Sequence, residues 1–568
     1  MGTHSIKKNF LYSLIFQLTG LLMPLIVTPY VSRVLAVEGI GLYSYTESIV
    51  SYFVLVAVLG TSTFGQRAVS YTQDDPEGRS RAFFEVLLLR LMTAAVTAAA
   101  YVGYVFVAVD AANRTIALVF LLNILNVVLD ISWLLQGLEE FGKMALRSVL
   151  LRLAGVACIF IFVRDEGDLI LYTVIMLGAV VLGNLSLWLY VPKYVCRVRG
   201  IRPFRNIGEV LQLFVPTIAI QLYTVLDKSM IGWFSKDGYR ENGYYEQAQK
   251  LVKLAVTGVT ALGTVMIPRI AYTYRLGDTD RLHYYVYRSY RYVFMMGVPM
   301  MFGFLGIADV LTPIYYGPGY EKCGVLISIF SAIVLFIGVS NVTGYQYLVP
   351  IGRQNVLTMT VFIGSAVNIV MNLILIPAFS SVGASIATVV AEFVVALAGF
   401  IYLKRKHEFP LAPIFRGSVK YWIAGGGMFA ALMVVKRFLP VTLPTLIGLI
   451  AGAAALYFLL LLLLRDGFVR EILGRVLSRF SRKAAPVTGE AETDTADENG
   501  AAETNTAVNE DAAATGNIVA AENTTATENT IVTGNVTVGE NTAAADHAAG
   551  EDVAEDPDAE EPPRGARS

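Results

Sequence analysis

The sequence is poor in charged residues, cysteine and histidine. Only 16% of its 568 residues are charged, against roughly 25% in a typical soluble domain. The three cysteines (Cys158, Cys196 and Cys323) have unrelated spacings, which excludes a secreted scaffold built on disulfides. The four histidines have neither helical-pair nor zinc-finger spacing, so we expect no catalytic metal site. We also expect no cofactor and no catalytic residue.

Apolar residues make up 55% of the chain, and the mean hydropathy is +0.58. A water-soluble core of ordinary shape cannot bury so much apolar surface, so lipid must cover much of it. The apolar runs are about 20 residues long, and short charged or Gly- and Pro-containing breaks separate them. The sequence therefore predicts an all-α polytopic membrane protein with about 14 transmembrane helices. The predicted spans are 9–32, 40–66, 83–109, 115–137, 147–163, 170–191, 209–234, 248–269, 290–310, 325–349, 356–377, 383–403, 419–436 and 442–464.

The predicted helices divide into two six-helix lobes related by pseudo-symmetry, followed by two C-terminal helices. A weak repeat supports this division, because Gly41-Leu42-Tyr43 enters the second helix much as Gly243-Tyr244-Tyr245 enters the eighth. Beyond Lys483 the chain holds 19 acidic residues, two arginines and no aromatic residue, which predicts disorder. The predicted domains are an N-lobe with helices 1–6 (1–208), a C-lobe with helices 7–12 (209–406), helices 13–14 with a basic interfacial segment (407–483), and a disordered acidic tail (484–568).

Lys and Arg are distributed unevenly over the predicted loops. With the N-terminus inside, the inner loops carry about 28 of these residues and the outer loops about 8. The positive-inside rule therefore predicts that both termini are cytoplasmic. We call the membrane face with the loops after helices 1, 3, 5, 7, 9, 11 and 13 the predicted outer end. The segment 465–483 alternates basic and apolar residues, which indicates an interfacial helix on the inner leaflet.

Many of the predicted helices carry one polar stripe at i+3/i+4 spacing. Ser, Thr and Gly in such a stripe are typical of helix–helix contacts in membranes. A charge in the hydrocarbon costs at least about 2.5–3.5 kcal/mol, so charged members should face water, a partner or a substrate. Because stripes occur in both halves, we expect one polar cavity between the lobes. Its candidate residues are the cations Arg33, Arg90, Arg152, Lys228, Lys250 and Lys253, the amides Asn123, Asn126, Gln221, Asn368 and Asn372, and the carboxylates Glu47, Asp130 and Asp227.

Five segments in this order resemble the O-antigen and capsule repeat-unit flippases of bacteria. They are 29–35 (PYVSRVL) with 39–43 (GIGLY), 133–137 (WLLQG), 267–270 (IPRI), 317–320 (GPGY) and 340–342 (SNV). These flippases, the Wzx type, form part of the polysaccharide transporter family within the multidrug/oligosaccharidyl-lipid/polysaccharide exporter superfamily. The resemblance covers about residues 5–465, and the acidic tail is not part of the family pattern.

The resemblance implies a multi-pass transporter of the bacterial plasma membrane with a cationic central cavity. Its implied substrate is an undecaprenyl-diphosphate-linked oligosaccharide repeat unit, flipped from the inner to the outer leaflet for polysaccharide biosynthesis. Arg and Lys candidates would then bind the diphosphate, and the amides would bind sugars. The expected partners are this lipid, the bilayer and the polysaccharide polymerase and chain-length machinery, with no nucleic acid.

Alternatives remain open for both the residues and the protein. Glu47, Asp130 and Asp227 either carry coupling protons or neutralise neighbouring cations. Lys228 either binds phosphate or pairs with a carboxylate such as Asp130 or Glu47. A drug/cation antiporter of the same superfamily would favour an acidic cavity, whereas this one is mixed to basic. A membrane glycosyltransferase or polymerase would need a sizeable catalytic loop, and no predicted loop exceeds roughly 20 residues.

Overall fold

The computed structural model describes residues 6–474, and the secondary structure in that range is helical. Side chains are described from residue 23 onward, except 141–146, 148, 215–216, 219–220, 222–223 and 264. The first group of α-helices is α1 (Ile6–Val58), α2 (Thr61–Tyr71), α3 (Pro76–Ala108), α4 (Arg114–Val119), α5 (Leu121–Leu129), α6 (Ser132–Gly137), α7 (Phe141–Phe162), α8 (Leu169–Leu187) and α9 (Val191–Tyr194). The second group is α10 (Ile207–Phe234), α11 (Gly238–Thr260), α12 (Gly263–Arg275), α13 (Thr279–Tyr315), α14 (Glu321–Phe330), α15 (Ile333–Asn341), α16 (Gln354–Arg405), α17 (Ala412–Val435) and α18 (Leu443–Leu463), with a π-helical segment, Val342–Leu348, after α15.

Two of these helices each hold two predicted spans. The backbone of α1 turns at Ala36, where φ is 54°, and that of α16 turns at Ser380, where φ is 51°. Such left-handed φ values are unfavourable for residues with a Cβ and interrupt the regular helix. We therefore treat α1 as a first segment before Ala36 and a second segment after it.

The fold class predicted from the sequence is confirmed. Ten helical stretches among the described residues are long and apolar enough to cross a membrane, and two of them, Met23–Tyr71 and Gln354–Arg405, contain the turns at Ala36 and Ser380. Together with α7 and α10, these stretches account for about fourteen spans. Several helices extend beyond their apolar cores. For example, α13 is 37 residues long, because polar turns at its ends continue the helix outside the apolar window.

Helix starts follow local capping rules. The Asp75 side chain accepts a hydrogen bond from the Glu77 backbone at 3.1 Å, and Pro76 occupies the first helical position of α3. The Asp278 side chain accepts from the Arg281 backbone at 2.9 Å and caps α13. Both caps satisfy backbone N–H groups that have no partner inside the helix. Because such turns are polar, hydropathy alone places these helix starts too late.

A short helix follows α18 at 467–474. It contacts α13, where Arg288 donates to Glu471 at 3.1 Å and lies over the Phe468 ring. Lys420 of α17 donates to the Arg465 carbonyl at 3.1 Å. The start of the predicted interfacial segment thus packs against α13 and α17. Residues 475–483 of that segment and the acidic tail (484–568) lie outside the described residues.

Candidate functional site

Three charged side chains meet where α10 lies against α11. The Nζ of Lys228 on α10 is 2.5 Å from Glu246 Oε2 on α11. The other carboxylate oxygen, Glu246 Oε1, is 3.0 Å from Lys250 Nζ, one helical turn further along α11. Lys228 and Glu246 are only 3% and 2% exposed. Because both groups have lost their hydration, each depends on the other for its charge to be tolerated.

The second segment of α1 completes this group from the N-lobe. Ser44 Oγ donates to Glu246 Oε2 at 3.1 Å, and Glu47 Oε2 lies 3.9 Å from Lys228 Nζ. Ser44 and Glu47 are three residues apart and so share one helix face. We call these five side chains, Ser44, Glu47, Lys228, Glu246 and Lys250, the charged layer. It joins residues from both predicted lobes through buried polar contacts.

The charged layer and its border carry more cations than carboxylates. Lys253 lies half-buried on α11, one turn beyond Lys250. The Lys250 side chain is 37% exposed, so this side of the layer borders accessible space. With Lys253 included, three lysines stand against Glu47 and Glu246. This excess of positive charge suits an anionic ligand. Arg152, another of the predicted cations, lies half-buried on α7, outside the charged layer.

Asp227 forms a second buried polar group inside the C-lobe. Its Oδ2 accepts from the Tyr245 hydroxyl at 2.6 Å and from Thr388 Oγ1 at 2.7 Å, and its Oδ1 accepts from Asn372 Nδ2 at 2.6 Å. The same amide nitrogen donates to Asn368 Oδ1 at 3.1 Å. These hydrogen-bond donors are neutral, although the carboxylate is only 4% exposed. Asp227, Asn368 and Asn372, which the sequence predicts as site residues, are therefore brought together.

Two polar atoms of this second group have no hydrogen-bond partner in the described part of the chain. They are Asn368 Nδ2 and Asn372 Oδ1, both buried. Nowhere in the described residues do three His, Cys, Asp or Glu side chains gather as a metal cluster. The Asp227 group contains one carboxylate with amide and hydroxyl oxygens, a set that suits a small hard cation better than a transition metal.

Arg90 lies in the middle of α3, and Asp130 follows the end of α5. Arg90 is 1% exposed, and its guanidinium donates to Thr61 Oγ1 at 2.7 Å and to Ser62 Oγ at 2.5 Å. It also donates to the carbonyls of Val127 and Asp130 at 3.1 and 2.6 Å. The Asp130 carboxylate is 4.0 Å from Arg90. The Arg90 guanidinium therefore joins the start of α2 to the end of α5.

The other predicted site residues occupy separate positions. Arg33 is exposed and donates to the Ile314 carbonyl at 2.6 Å, linking the lobes at the predicted outer end. Asn123 and Asn126 are buried on α5, where Asn126 Oδ1 accepts from Asn184 Nδ2 at 3.5 Å. Gln221 is half-buried on α10. Of the predicted cations, the structure brings Lys228 and Lys250 together beside Glu47, whereas Arg33 and Arg90 are bonded elsewhere.

Contacts between the lobes close the predicted outer end. Glu38 and Arg240 form an ion pair of 3.2 Å, and Gln247 Nε2 donates to Ser32 Oγ at 3.0 Å. Next to Glu47 and Lys228 of the charged layer, the hydroxyls of Ser48 and Ser229 are 3.0 Å apart. The charged layer thus lies directly beneath a closed end of the bundle.

Sequence reasoning missed Glu246, the residue at the centre of the charged layer. The predicted eighth helix begins at residue 248, whereas α11 begins at Gly238, so Glu246 lies inside the helix. The i, i+4 spacing of Glu246 and Lys250 was the available signal, because this spacing places opposite charges on one helix face. Hydropathy concealed that signal, since the first turns of α11 are polar.

Comparisons with known proteins agree with this fold. A family model described as "Polysaccharide biosynthesis protein" matches residues 6–273, a range that contains the whole charged layer. A relative named "Putative O-antigen transporter", from Escherichia coli (strain K12), is 22% identical over 399 residues, covering 69% of this chain and 95% of the relative. Residues 6–273 are therefore similar to the family of polysaccharide biosynthesis proteins. The family resemblance stated from the five sequence segments is thereby confirmed, and this transporter is a multi-pass membrane protein.

Another relative is similar to this transporter in sequence, and two solved structures are similar to it in fold. The "Lipid II flippase MurJ" of Bacillus subtilis (strain 168) is 24% identical over 246 residues, which are 41% of this chain and 45% of that protein. A solved structure of lipid II flippase MurJ in an inward closed conformation has a TM-score of 0.66 at 14% identity, covering 80% of this chain and 99% of its own. An inward-facing transporter of the multidrug resistance MATE family has a TM-score of 0.54 at 14% identity, covering 68% and 94%. At such identities the two structures establish the fold.

Proposed function

We propose that this transporter flips undecaprenyl-diphosphate-linked oligosaccharide repeat units from the cytoplasmic to the outer leaflet of a bacterial plasma membrane. The observation that carries the proposal is the charged layer, where Lys228 and Lys250 meet at the lobe interface beside Lys253. A diphosphate crossing roughly 30 Å of hydrocarbon needs fixed cations to replace its water. The polyprenyl tail stays in lipid, and the substrate undergoes no covalent change.

Within this proposal, the lysines of the charged layer are better placed to bind phosphate than the predicted arginines. Arg90 uses its guanidinium to hold Thr61, Ser62 and two backbone carbonyls, so it has a structural role. Lys250 is 37% exposed and reachable from the accessible side. The amides Asn368 and Asn372, with their unpartnered buried atoms, are left as candidates for sugar or ion contacts.

The mechanism that fits this geometry is alternating access of the two lobes. The contacts of Glu38 and Ser32 with the C-lobe hold the predicted outer end closed. Substrate enters from the opposite leaflet in this state, and breaking the same contacts opens the outer end. The termini then lie in the cytoplasm, and a polysaccharide polymerase consumes the flipped repeat unit.

Transport of a polyprenyl-diphosphate oligosaccharide across proteoliposomes tests the proposal. Lys228→Gln should insert in normal amounts yet transport at least about tenfold more slowly, and Lys228→Arg should retain much of the activity because the charge is kept. Lys236→Gln, in an exposed position after the same helix, is the matched control.

Two other outcomes would contradict the proposal. If Lys228→Gln lowers only the amount of folded protein, with normal transport per molecule, Lys228 serves as a structural ion-pair partner. If the vesicles export cationic drugs and do not move the oligosaccharide lipid, the protein is a drug/cation antiporter.

A further inference from the structure

Glu246 occupies the position at which an anionic ligand would meet Lys228 and Lys250. One carboxylate oxygen contacts Lys228 at 2.5 Å and the other contacts Lys250 at 3.0 Å. A phosphate group presents the same kind of acceptor oxygens to an ammonium group. With Lys228 only 3% exposed, the layer is too tightly packed for carboxylate and phosphate to use this lysine at once.

We propose that Glu246 is an internal counter-anion that occupies the phosphate site of the empty transporter, and that the diphosphate of the substrate must displace it. This inference rests on the proposed function. The displacement moves the Glu246 carboxylate away from the Lys228–Lys250 pair and leaves both ammonium groups to the diphosphate. Glu246 thereby offsets part of the positive charge of the buried Lys228 and the half-buried Lys250 whenever substrate is absent, which a low-dielectric site favours.

The displacement also connects substrate binding to the contact between the lobes. Ser44, on the second segment of α1, donates to the same Glu246 oxygen that contacts Lys228. When the carboxylate leaves, the N-lobe loses this hydrogen bond to the C-lobe, directly beneath the closed outer end. Glu246 is therefore a positioning residue, which links occupancy of the site to release of one inter-lobe contact.

Binding of undecaprenyl diphosphate to the full-length protein in lipid nanodiscs tests this inference, with undecaprenol as the probe that lacks phosphate. Glu246→Gln should bind undecaprenyl diphosphate about tenfold or more tightly than the wild type, because two charge-assisted contacts no longer oppose binding. Ser44→Ala, which changes no charge, should bind about two- to threefold more tightly, because it removes one hydrogen bond that retains the carboxylate. Lys228→Gln should bind more weakly.

Two controls separate displacement from simpler effects. Glu47→Gln removes a neighbouring carboxylate that lies 3.9 Å from Lys228 and therefore measures the through-space effect of charge. Glu166→Gln removes an exposed carboxylate in the short 3-10 helix between α7 and α8 and should leave affinity unchanged. If Glu246 is displaced, Glu246→Gln should raise the affinity for undecaprenyl diphosphate several-fold more than Glu47→Gln does. Ser44→Ala should also raise this affinity. If the Glu246→Gln protein does not fold, the affinity of Ser44→Ala for undecaprenyl diphosphate decides whether the carboxylate is displaced.

The remaining outcomes overturn the inference in distinguishable ways. If the wild type binds undecaprenyl diphosphate and Lys228→Gln weakens binding, but Glu246→Gln and Ser44→Ala bind no more tightly, Glu246 is a structural partner and the proposed function stands. If Glu47→Gln and Glu246→Gln raise the affinity equally and Ser44→Ala does not change it, the tighter binding results from the lost negative charge alone, and Glu246 is not displaced. If the wild type does not distinguish the diphosphate from undecaprenol, both the proposed function and this inference fail.

Discussion

Gly41 and Gly243 lie against each other's helix where α1 crosses α11 at the predicted outer end. A Cβ built on Gly41 would lie 1.6 Å from the Tyr239 carbonyl oxygen, and one on Gly243 would lie 2.2 Å from the Val37 carbonyl oxygen. The contact is reciprocal, since each glycine packs against the backbone of the residue four positions before the other glycine. Only residues without a side chain allow two membrane helices to approach so closely. These are the glycines of the two segments that suggested the internal repeat.

Gly41→Ala should prevent closure of the predicted outer end and slow transport by roughly tenfold, because the new methyl group overlaps the α11 backbone. In a cysteine-free chain carrying Ser48→Cys, an impermeant maleimide should label the variant faster than the parent, in which Ser48 is 1% exposed. Gly39→Ala is the matched control, since the nearest atom to its Cβ is 3.7 Å away. Equal labelling and transport in all three chains would show that this crossing is not a gate.

Asp227→Asn should uncouple transport from its driving ion. The buried Asp227 carboxylate accepts its hydrogen bonds from the neutral donors Tyr245, Thr388 and Asn372, and Lys253 acts on it through space, so we expect a coupling cation to bind there. We expect gradient-driven accumulation in proteoliposomes to fall at least about tenfold, while substrate exchange without a gradient continues.

Asp237→Asn, an exposed position beyond the end of the same helix, is the control for the Asp227 experiment. Equal loss of exchange and of accumulation in Asp227→Asn would assign Asp227 a structural role instead.

Arg90→Gln should destabilise the fold without changing the chemistry of transport. The substitution leaves the buried acceptors Thr61, Val127 and Asp130 with fewer donors, so we expect the free energy of unfolding to fall by about 2–4 kcal/mol. Thermal unfolding in detergent measures the loss, and transport should be normalised to folded protein. For the control Arg205→Gln, in an exposed loop, the free energy of unfolding should stay within about 0.5 kcal/mol of the wild-type value. A stable Arg90→Gln protein with no transport would instead place Arg90 in substrate binding.

The predicted orientation has a direct test with the native Cys196, which is exposed. With Cys158 and Cys323 replaced, Cys196 should react with an impermeant maleimide only after permeabilisation, because its loop is predicted to be cytoplasmic. In a chain without Cys196, Asp237→Cys should react in intact cells. The reverse labelling pattern would show that the chain has the opposite orientation in the membrane.

Much of the fold was predictable, and much of the candidate site was not. The fourteen spans, the breaks near Ala36 and Ser380 and the charged helix faces all follow from apolar length and helical spacing. Lys228 and Glu47 were expected on polar faces, and their pairing was one of the stated alternatives, whereas Glu246 was placed in a loop. Ser44 and Glu246 are 202 residues apart in the chain, and no local pattern indicates that they touch.

The sequence by itself determined the membrane environment and the helical class of this transporter, because each apolar run must satisfy its own backbone hydrogen bonds in lipid. Only the tertiary structure decided which charges share a site. The close crossing of α1 and α11 at Gly41 and Gly243 brings Ser44 and Glu47 against Lys228 and Glu246. In that buried setting, the partner of each charge depends on side-chain atoms a few ångströms apart, and such distances are set by packing between distant helices.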